Sequence, residues 1–368
     1  MRSIDDRGPA RHFHGRKEVL ANFMDELGRA KEGGGGTTFL IQGPPGVGKT
    51  ALLEKCADKA KGKGWRAVQV TFDALHDPTV FMEAKGKPQK AKHEIKVGFG
   101  VSSFVHGSYQ AQSVGKALRT LMRDAAEKKG LLLVLDEVQN MARYVKTIGP
   151  QRGVVELMLD QIHNGRMGAP VILLAGGLGH SQDMFDSLGI SRFKDGCAVD
   201  LECLSPEFAC AVIRDWLVKD GGAAEGPELD RWIDAISQET HGWAQHIIAF
   251  AQPAAELLQR TGRSLVDEGL TAVLTQGRKR KERYYKARVS KLEEDACKAI
   301  AALIQDFQDR NGLAKAEIIS RLADRETLQP PEEIFSLAIQ KGVFARTDAQ
   351  RYTIPIPSMR DWMVETFP

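Results

Sequence analysis

The chain has 368 residues and a formal net charge of +3, with 42% hydrophobic and 27% charged residues. That is the composition of an ordinary globular protein, and it excludes disordered, collagen-like and coiled-coil chains. At about 100–200 residues per domain, the length predicts two or three domains, each able to bury its own core. The longest clean apolar runs, 131–135 and 171–175, fall far short of the ~20 residues that cross a bilayer, so no membrane segment is expected. Residues 1–6 have no apolar core, and no signal peptide is expected there. Five cysteines, Cys56, Cys197, Cys203, Cys210 and Cys297, are an odd number without a CxxC pair. They predict neither a disulfide framework nor a zinc site, and they point to a reducing, cytoplasmic compartment.

In chain order, the glycines at 33–36 predict a flexible surface loop ahead of the first strand. Thr37, Thr38, Phe39, Leu40 and Ile41 form a short β-prone run. Gly43, Pro44, Pro45, Gly46, Val47, Gly48, Lys49 and Thr50 then match GxxxxGK[ST], followed by a helical stretch with apolar Ala51, Leu52, Leu53 and Cys56. The chemistry explains the spacing. Glycines let backbone N–H groups turn inward around phosphates, and the helix N-terminus adds the positive end of its dipole. Lys49 reaches the β- and γ-phosphates of a nucleotide, and Thr50 offers a hydroxyl to Mg²⁺.

Residues 66–72 alternate at period two and predict a strand. Residues 75–110 are long, glycine-bearing and weakly alternating, read either as an inserted, partner-facing hairpin or loop or as an excursion without a role. Within 112–129, Val114, Leu118, Leu121, Met122 and Ala125 share one helical face. The apolar strand 131–135 ends in Asp136 and Glu137, 87 positions beyond Lys49 for the aspartate. This is a Walker B pattern: Asp136 supports the Mg²⁺ shell, and Glu137 orients and deprotonates the attacking water. A helix over 153–164 and strands over 171–175 and 197–201 complete an alternation that predicts a parallel sheet covered on both faces.

Ser205 and Pro206 open a helical region. Phe208, Val212, Ile213, Trp216 and Leu217 mark one apolar face, and Leu229, Trp232, Ile233 and Ile236 mark another, with further helices at 243–260 and 264–276. Trp216 and Trp232 are expected in the core. The net charge of +3 is unevenly distributed. Residues 278–291 carry eight Lys/Arg against one acid, whereas 292–368 carry nine against thirteen. That places a boundary near residue 278. The basic segment reads equally as a non-specific nucleic-acid contact or as a linker helix whose Tyr284 and Tyr285 pack onto the last domain. Residues 292–368 predict helices at 293–308, 314–324 and 331–341, a hairpin and a final helix.

The order of P-loop, strand–helix unit, Walker B strand and two further strands resembles the AAA+ ATPases, in particular their initiator, origin-recognition-like, and STAND-like branch. The resemblance implies a P-loop αβα parallel sheet over 1–203, an all-helical lid over 204–277, a basic connector over 278–291 and a winged-helix domain over 292–368. It implies ATP or ADP with Mg²⁺, held by Gly43 to Ala51 and by Thr50 and Asp136, with Glu137 and Lys49 catalytic. His14, Gly15 and Arg16 resemble the branch's N-terminal adenine-contacting box, the other reading being a helix-entry turn. Arg192, just before the last strand, stands where the branch carries a trans-acting arginine finger; otherwise it is a surface arginine.

Two departures from the pattern stand out. Gly176 and Gly177 replace a polar sensor at the end of the 171–175 strand, leaving His180 or Ser181, or Gln139 and Asn140, to supply that contact. The lid sequence 240–246 lacks a sensor arginine. The third tail helix begins with two acids, so a protein-contacting winged helix is favoured over a DNA reader, apart from Arg346 and Arg351 on the wing. The expected function is an ATP-hydrolysing protein whose nucleotide state controls homo-oligomeric assembly on DNA, through 278–291, or on a protein partner, through the winged helix or the 75–110 segment. The alternatives are a slowly hydrolysing STAND-like switch and an accessory ATPase of a mobile-element or defence system.

Overall fold

The computed structural model describes residues 12–33, 36–71, 128–140, 170–179, 181–182, 185, 193, 196–262, 264–309, 312–347 and 351–368. The chain forms two compact units. One comprises Arg16–Gln42 and Lys49–Asp200; the other comprises Met1–Gly15, Gly43–Gly48 and Leu201–Pro368. The segment 75–110, the helices expected over 112–129 and 153–164, His180 and Arg192 lie outside the described residues.

The first unit is built on a five-stranded sheet of order β2-β3-β4-β1-β5, comprising β1 (Gly36–Gln42), β2 (Arg66–Thr71), β3 (Leu131–Asp136), β4 (Val171–Gly177) and β5 (Ala198–Asp200). Every pairing is parallel. Strands β3 and β4 are buried along their whole length. Burial on both faces explains why they read as unbroken apolar runs rather than alternating ones. Helix α1 (Lys17–Gly33) sends Phe23, Leu27 and Ala30 into the core, where the Phe23 ring meets Phe39 of β1 edge-on at 5.6 Å. Helix α2 (Lys49–Gly62) buries Leu52, Leu53, Cys56, Ala57 and Ala60. The expected four-glycine loop is shorter than its sequence suggests, because α1 continues through Gly33 and β1 begins at Gly36.

Parallel pairing puts the carboxyl ends of β1, β3 and β4 along one edge, with β4 between the other two. In open α/β sheets that edge is where ligands bind. Lys49 and Thr50, which open α2, and Asp136, which ends β3, meet there.

The second unit is helical: α3 (Pro206–Asp215), a π-helical turn (Trp216–Asp220), α4 (Pro227–Thr240), α5 (Ala244–Arg260) and α6 (Asp267–Val289). Their shared core includes Ile213, Leu217, Leu229, Trp232, Ile236, Phe250 and Leu258. Trp232 is fully buried as expected, whereas Trp216 is only partly buried and sets its ring 5.2 Å from His12. The helix expected over 264–276 does not stop there. It runs 23 residues, and its C-terminal half is the basic segment. Gly277 sits inside the helix because a Cβ there would lie 2.2 Å from Cδ1 of Phe250, so it permits close helix approach rather than a break.

The same unit continues with α7 (Glu294–Ala301), α8 (Ile304–Asp309), α9 (Lys315–Ala323), α10 (Pro331–Lys341), the antiparallel pair β6 (Ala345–Arg346) and β7 (Tyr352–Thr353), and α11 (Pro357–Thr366). The helix expected over 293–308 is divided at Ala302 and Leu303 into α7 and α8. Tyr285 of α6 packs onto this region: its hydroxyl is 2.7 Å from Ser358 Oγ and its ring 5.3 Å from Trp362. All five cysteines are free thiols. Among the described residues no helix is long and apolar enough to cross a membrane.

Candidate functional site

The loop from β1 to α2 carries the P-loop residues. Gly46 and Gly48 have φ of +82° and +106°, a backbone that only glycine adopts without strain. Helix α2 begins at Lys49, which is buried despite its charge. Thr50, one position on, donates its hydroxyl to Oδ2 of Asp136 at 2.8 Å. The two residues expected to serve a metal, from two distant stretches of chain, are therefore in direct contact.

Asp136 closes β3 and is only 3% exposed. Burial pushes its carboxyl above the usual carboxylate range, with the neighbouring Glu137 charge adding to the rise. The hydrogen bonds from Thr50 and from the Glu137 backbone N–H (2.9 Å), together with the Lys49 charge, pull it back. A buried oxygen pair with an ionisation held back by burial suits a divalent cation, whose charge would restore the carboxylate.

Glu137 adopts the left-handed region at φ +59°. For a residue with a Cβ that conformation costs on the order of 1 kcal/mol or more, and such outliers concentrate at functional sites. Its carboxylate Oε2 accepts from Gln139 Nε2, and Oε1 of Gln139 accepts from the Leu178 N–H at 3.2 Å. Gln139 thus bridges the Walker B glutamate and the loop after β4.

The glycines at the end of β4 have a steric reason. A Cβ at Gly176 would lie 2.6 Å from Leu53 Cδ1 and 3.0 Å from Asp136 Oδ1, and one at Gly177 would lie 2.6 Å from Val138 Cγ2. Ser181, a suggested substitute, is fully buried, and its Oγ has no partner among the described residues. Sequence reading missed Gln42 at the end of β1. Its amide donates to Asp200 of β5 at 3.4 Å and accepts from the Gln182 N–H at 3.1 Å, tying the loop's launching strand to its neighbour. A polar residue ending an otherwise apolar strand was the available signal.

In the helical unit His14 Nε2 is 2.8 Å from Asp215 Oδ2, and Lys219 reaches the same oxygen at 2.8 Å. Burial raises the Asp215 carboxyl, but these two bonds outweigh it and hold it below its ordinary value. Gly15 has a left-handed φ of +77°, and a Cβ on it would lie 2.9 Å from Phe208 Cδ2; Arg16, which opens the sheet unit, has φ +60°. The P-loop carbonyls in this unit are also engaged. Tyr284 donates its hydroxyl to Pro45 O at 2.7 Å, and the Gln245 N–H donates to Gly46 O at 2.9 Å.

On the basic segment, Arg278 and Lys281 converge on Glu239, holding its carboxyl below the usual range against the opposing effect of burial. Lys286 pairs with Glu282, and Arg288 donates to Lys341 O. Lys279, Arg280 and Arg283 remain without an ion pair among the described residues, on one helical face.

Residues 12–146 match the family model described as an AAA ATPase domain. The NACHT domain- and WD repeat-containing protein 1 of Mus musculus is 26% identical over 132 residues, 35% of this chain and 8% of that protein. The chain therefore spans less than a tenth of the length of that curated relative. The solved ADP form of the Aeropyrum pernix ORC2 protein superimposes with a TM-score of 0.64 at 14% identity, covering 98% of this chain and 97% of that one. A Walker-type ATPase of Pyrococcus abyssi gives 0.54 at 13% identity, covering 96% and 97%. The chain has the AAA+ fold of these solved structures, a parallel five-stranded sheet followed by a helical C-terminal region, and its residues 12–146 resemble an AAA ATPase domain.

Proposed function

We propose that the chain binds ATP with Mg²⁺, hydrolyses it, and uses its nucleotide state to control assembly with further copies of itself on DNA or on a protein partner. The contact between Thr50 and Asp136, beside a strained Glu137, is the observation that carries this reading. The backbone N–H groups of residues 43–51 and Lys49 hold the phosphates, while Thr50 and Asp136 hold the metal. When bound, Mg²⁺ neutralises charge on the β- and γ-phosphate oxygens. Glu137 orients a water and accepts its proton once the carboxylate leaves Gln139. Arg192, outside the described residues, is assigned as the finger donated to a neighbouring subunit. Around residues 14–16 the backbone turn, rather than the His14 imidazole already held by Asp215, is assigned to the adenine.

A second reading, a slow switch acting through protein contacts in a cytoplasmic setting, is favoured by a specific observation. Four of the seven cations on α6 are already engaged within the chain, and Tyr285 is packed onto α11. In this reading residues 292–368 act as a winged helix that meets protein. Lys49→Ala tests the common core of both readings. MgATP should raise the melting temperature of the wild type and leave the variant unmoved; an equal rise in both would remove the phosphate assignment.

A further inference from the structure

Two consecutive carbonyls of the phosphate loop are held by hydrogen bonds from the helical region. Pro45 O accepts from the Tyr284 hydroxyl at 2.7 Å, and Gly46 O accepts from the Gln245 N–H at 2.9 Å, in the first turn of α5. A trans peptide is planar, with its C=O and N–H pointing in opposite directions. Fixing these two carbonyls therefore turns the N–H groups of Gly46 and Val47 away from Tyr284 and Gln245. These are the donors that a P-loop presents to phosphate. The fit leaves no slack, since a Cβ on Gly46 would lie 2.7 Å from the Tyr284 oxygen and 3.0 Å from Trp243 Nε1.

Tyr284 is in turn held from the C-terminal side. Arg288, one turn further along α6, stacks 4.6 Å from the Tyr284 ring centroid and donates Nη2 to its hydroxyl at 3.1 Å. Its Nη1 donates to Lys341 O at 2.9 Å, at the carboxyl end of α10 where the helix dipole favours a cation. The next residue, Gly342, ends that helix at φ +68°, and a Cβ there would lie 2.5 Å from Pro45 Cδ. A continuous path thus runs from the phosphate loop through Tyr284 and Arg288 to the end of α10.

We propose that Tyr284 is a positioning residue for the nucleotide phosphates and that, through Arg288, it links the conformation of the phosphate loop to helix α10. The proposal rests on the nucleotide-binding reading above and adds the route by which occupancy reaches the C-terminal region. If the Pro45–Gly46 peptide turns, Tyr284 loses its acceptor and Arg288 loses the ring that aims it at Lys341. Linkage makes the effect reciprocal: whatever displaces α10 weakens the phosphate cradle by the same factor.

The test uses the full chain, with Tyr284→Phe, Arg288→Met and the double variant. MgADP affinity, hydrogen exchange of residues 331–341 with and without MgADP, and the melting temperature without nucleotide are measured for each. Losing one hydrogen bond corresponds to about fivefold in affinity. Tyr284→Phe should weaken MgADP by about that factor and abolish the ADP-dependent change in exchange at 331–341, with the apo melting temperature lowered by only a few degrees. Arg288→Met, whose side-chain hydrogen bonds go to Tyr284 and Lys341 rather than to the loop, should also weaken MgADP, and the double variant should be no weaker than the more affected single one. MgADP affinity and exchange response unchanged in Tyr284→Phe, or affinity unchanged in Arg288→Met, would overturn the proposal while wild-type binding stands. A wild type that fails to bind MgADP would instead overturn the nucleotide reading itself.

Discussion

His246→Leu should remove much of the acid sensitivity of the helical unit. The His246 imidazole is fully buried, its two ring nitrogens have no well-formed hydrogen bond among the described residues, and it is surrounded by the rings of Trp243, Tyr284 and Tyr285. Burial pushes it down from 6.5 to about 3, with the charges of Lys281 and His241 adding to the effect. The folded chain therefore keeps the ring neutral while the unfolded chain protonates it below about 6.5. Between those values the unfolded state binds more protons, so stability falls as pH falls, by at most about 1.4 kcal/mol per pH unit. From pH 7 to pH 5 the loss attributable to this one group is about 2 kcal/mol. Leucine is close in volume, does not titrate and leaves no orphan nitrogen, so the variant should match or exceed wild-type stability at pH 7. Urea midpoints at pH 7 and pH 5 for both proteins give the comparison. An equal loss in wild type and variant would refute the reasoning.

Two other substitutions test the site and its partner. Asp136→Asn removes a carboxyl that burial holds above its ordinary value, so stability that falls as pH rises through that window is regained. The apo melting temperature should rise, while the Mg²⁺ dependence of nucleotide binding disappears; calorimetry with and without Mg²⁺ reads both. Changing Lys279, Arg280 and Arg283 together to glutamine addresses the exposed cationic face. If that face holds duplex DNA, the slope of log affinity against log salt should become shallower by about 3. An unchanged slope would leave the protein-partner reading.

The sheet was legible because its motifs are local. Residues 43–50 and 131–137 each carry, in one short run, the strand, the turn and the reactive groups. The pattern could not give the order of the strands, nor the direct meeting of Thr50 and Asp136, because both depend on which strands pair. Gly176 and Gly177 read as a missing sensor, but a Cβ at either position would collide with Leu53 or Val138. Gln139, on the neighbouring strand's exit, instead joins Glu137 to the loop after β4. The change of charge read as a boundary near residue 278, although α6 runs straight through it and Gly277 lets the helix approach Phe250. Nothing in sequence spacing signals that Tyr284 meets Pro45, 239 positions away. The π-helical turn at Trp216–Asp220 likewise has no sequence mark of its own.

The central claim is that Glu137, at the end of β3, activates water on a nucleotide held by the P-loop. Steady-state turnover and MgATP affinity of Glu137→Gln, measured beside the wild type, test it most directly. The expected result is retained affinity with turnover lowered by at least a hundredfold. Turnover equal to that of the wild type would contradict the assignment.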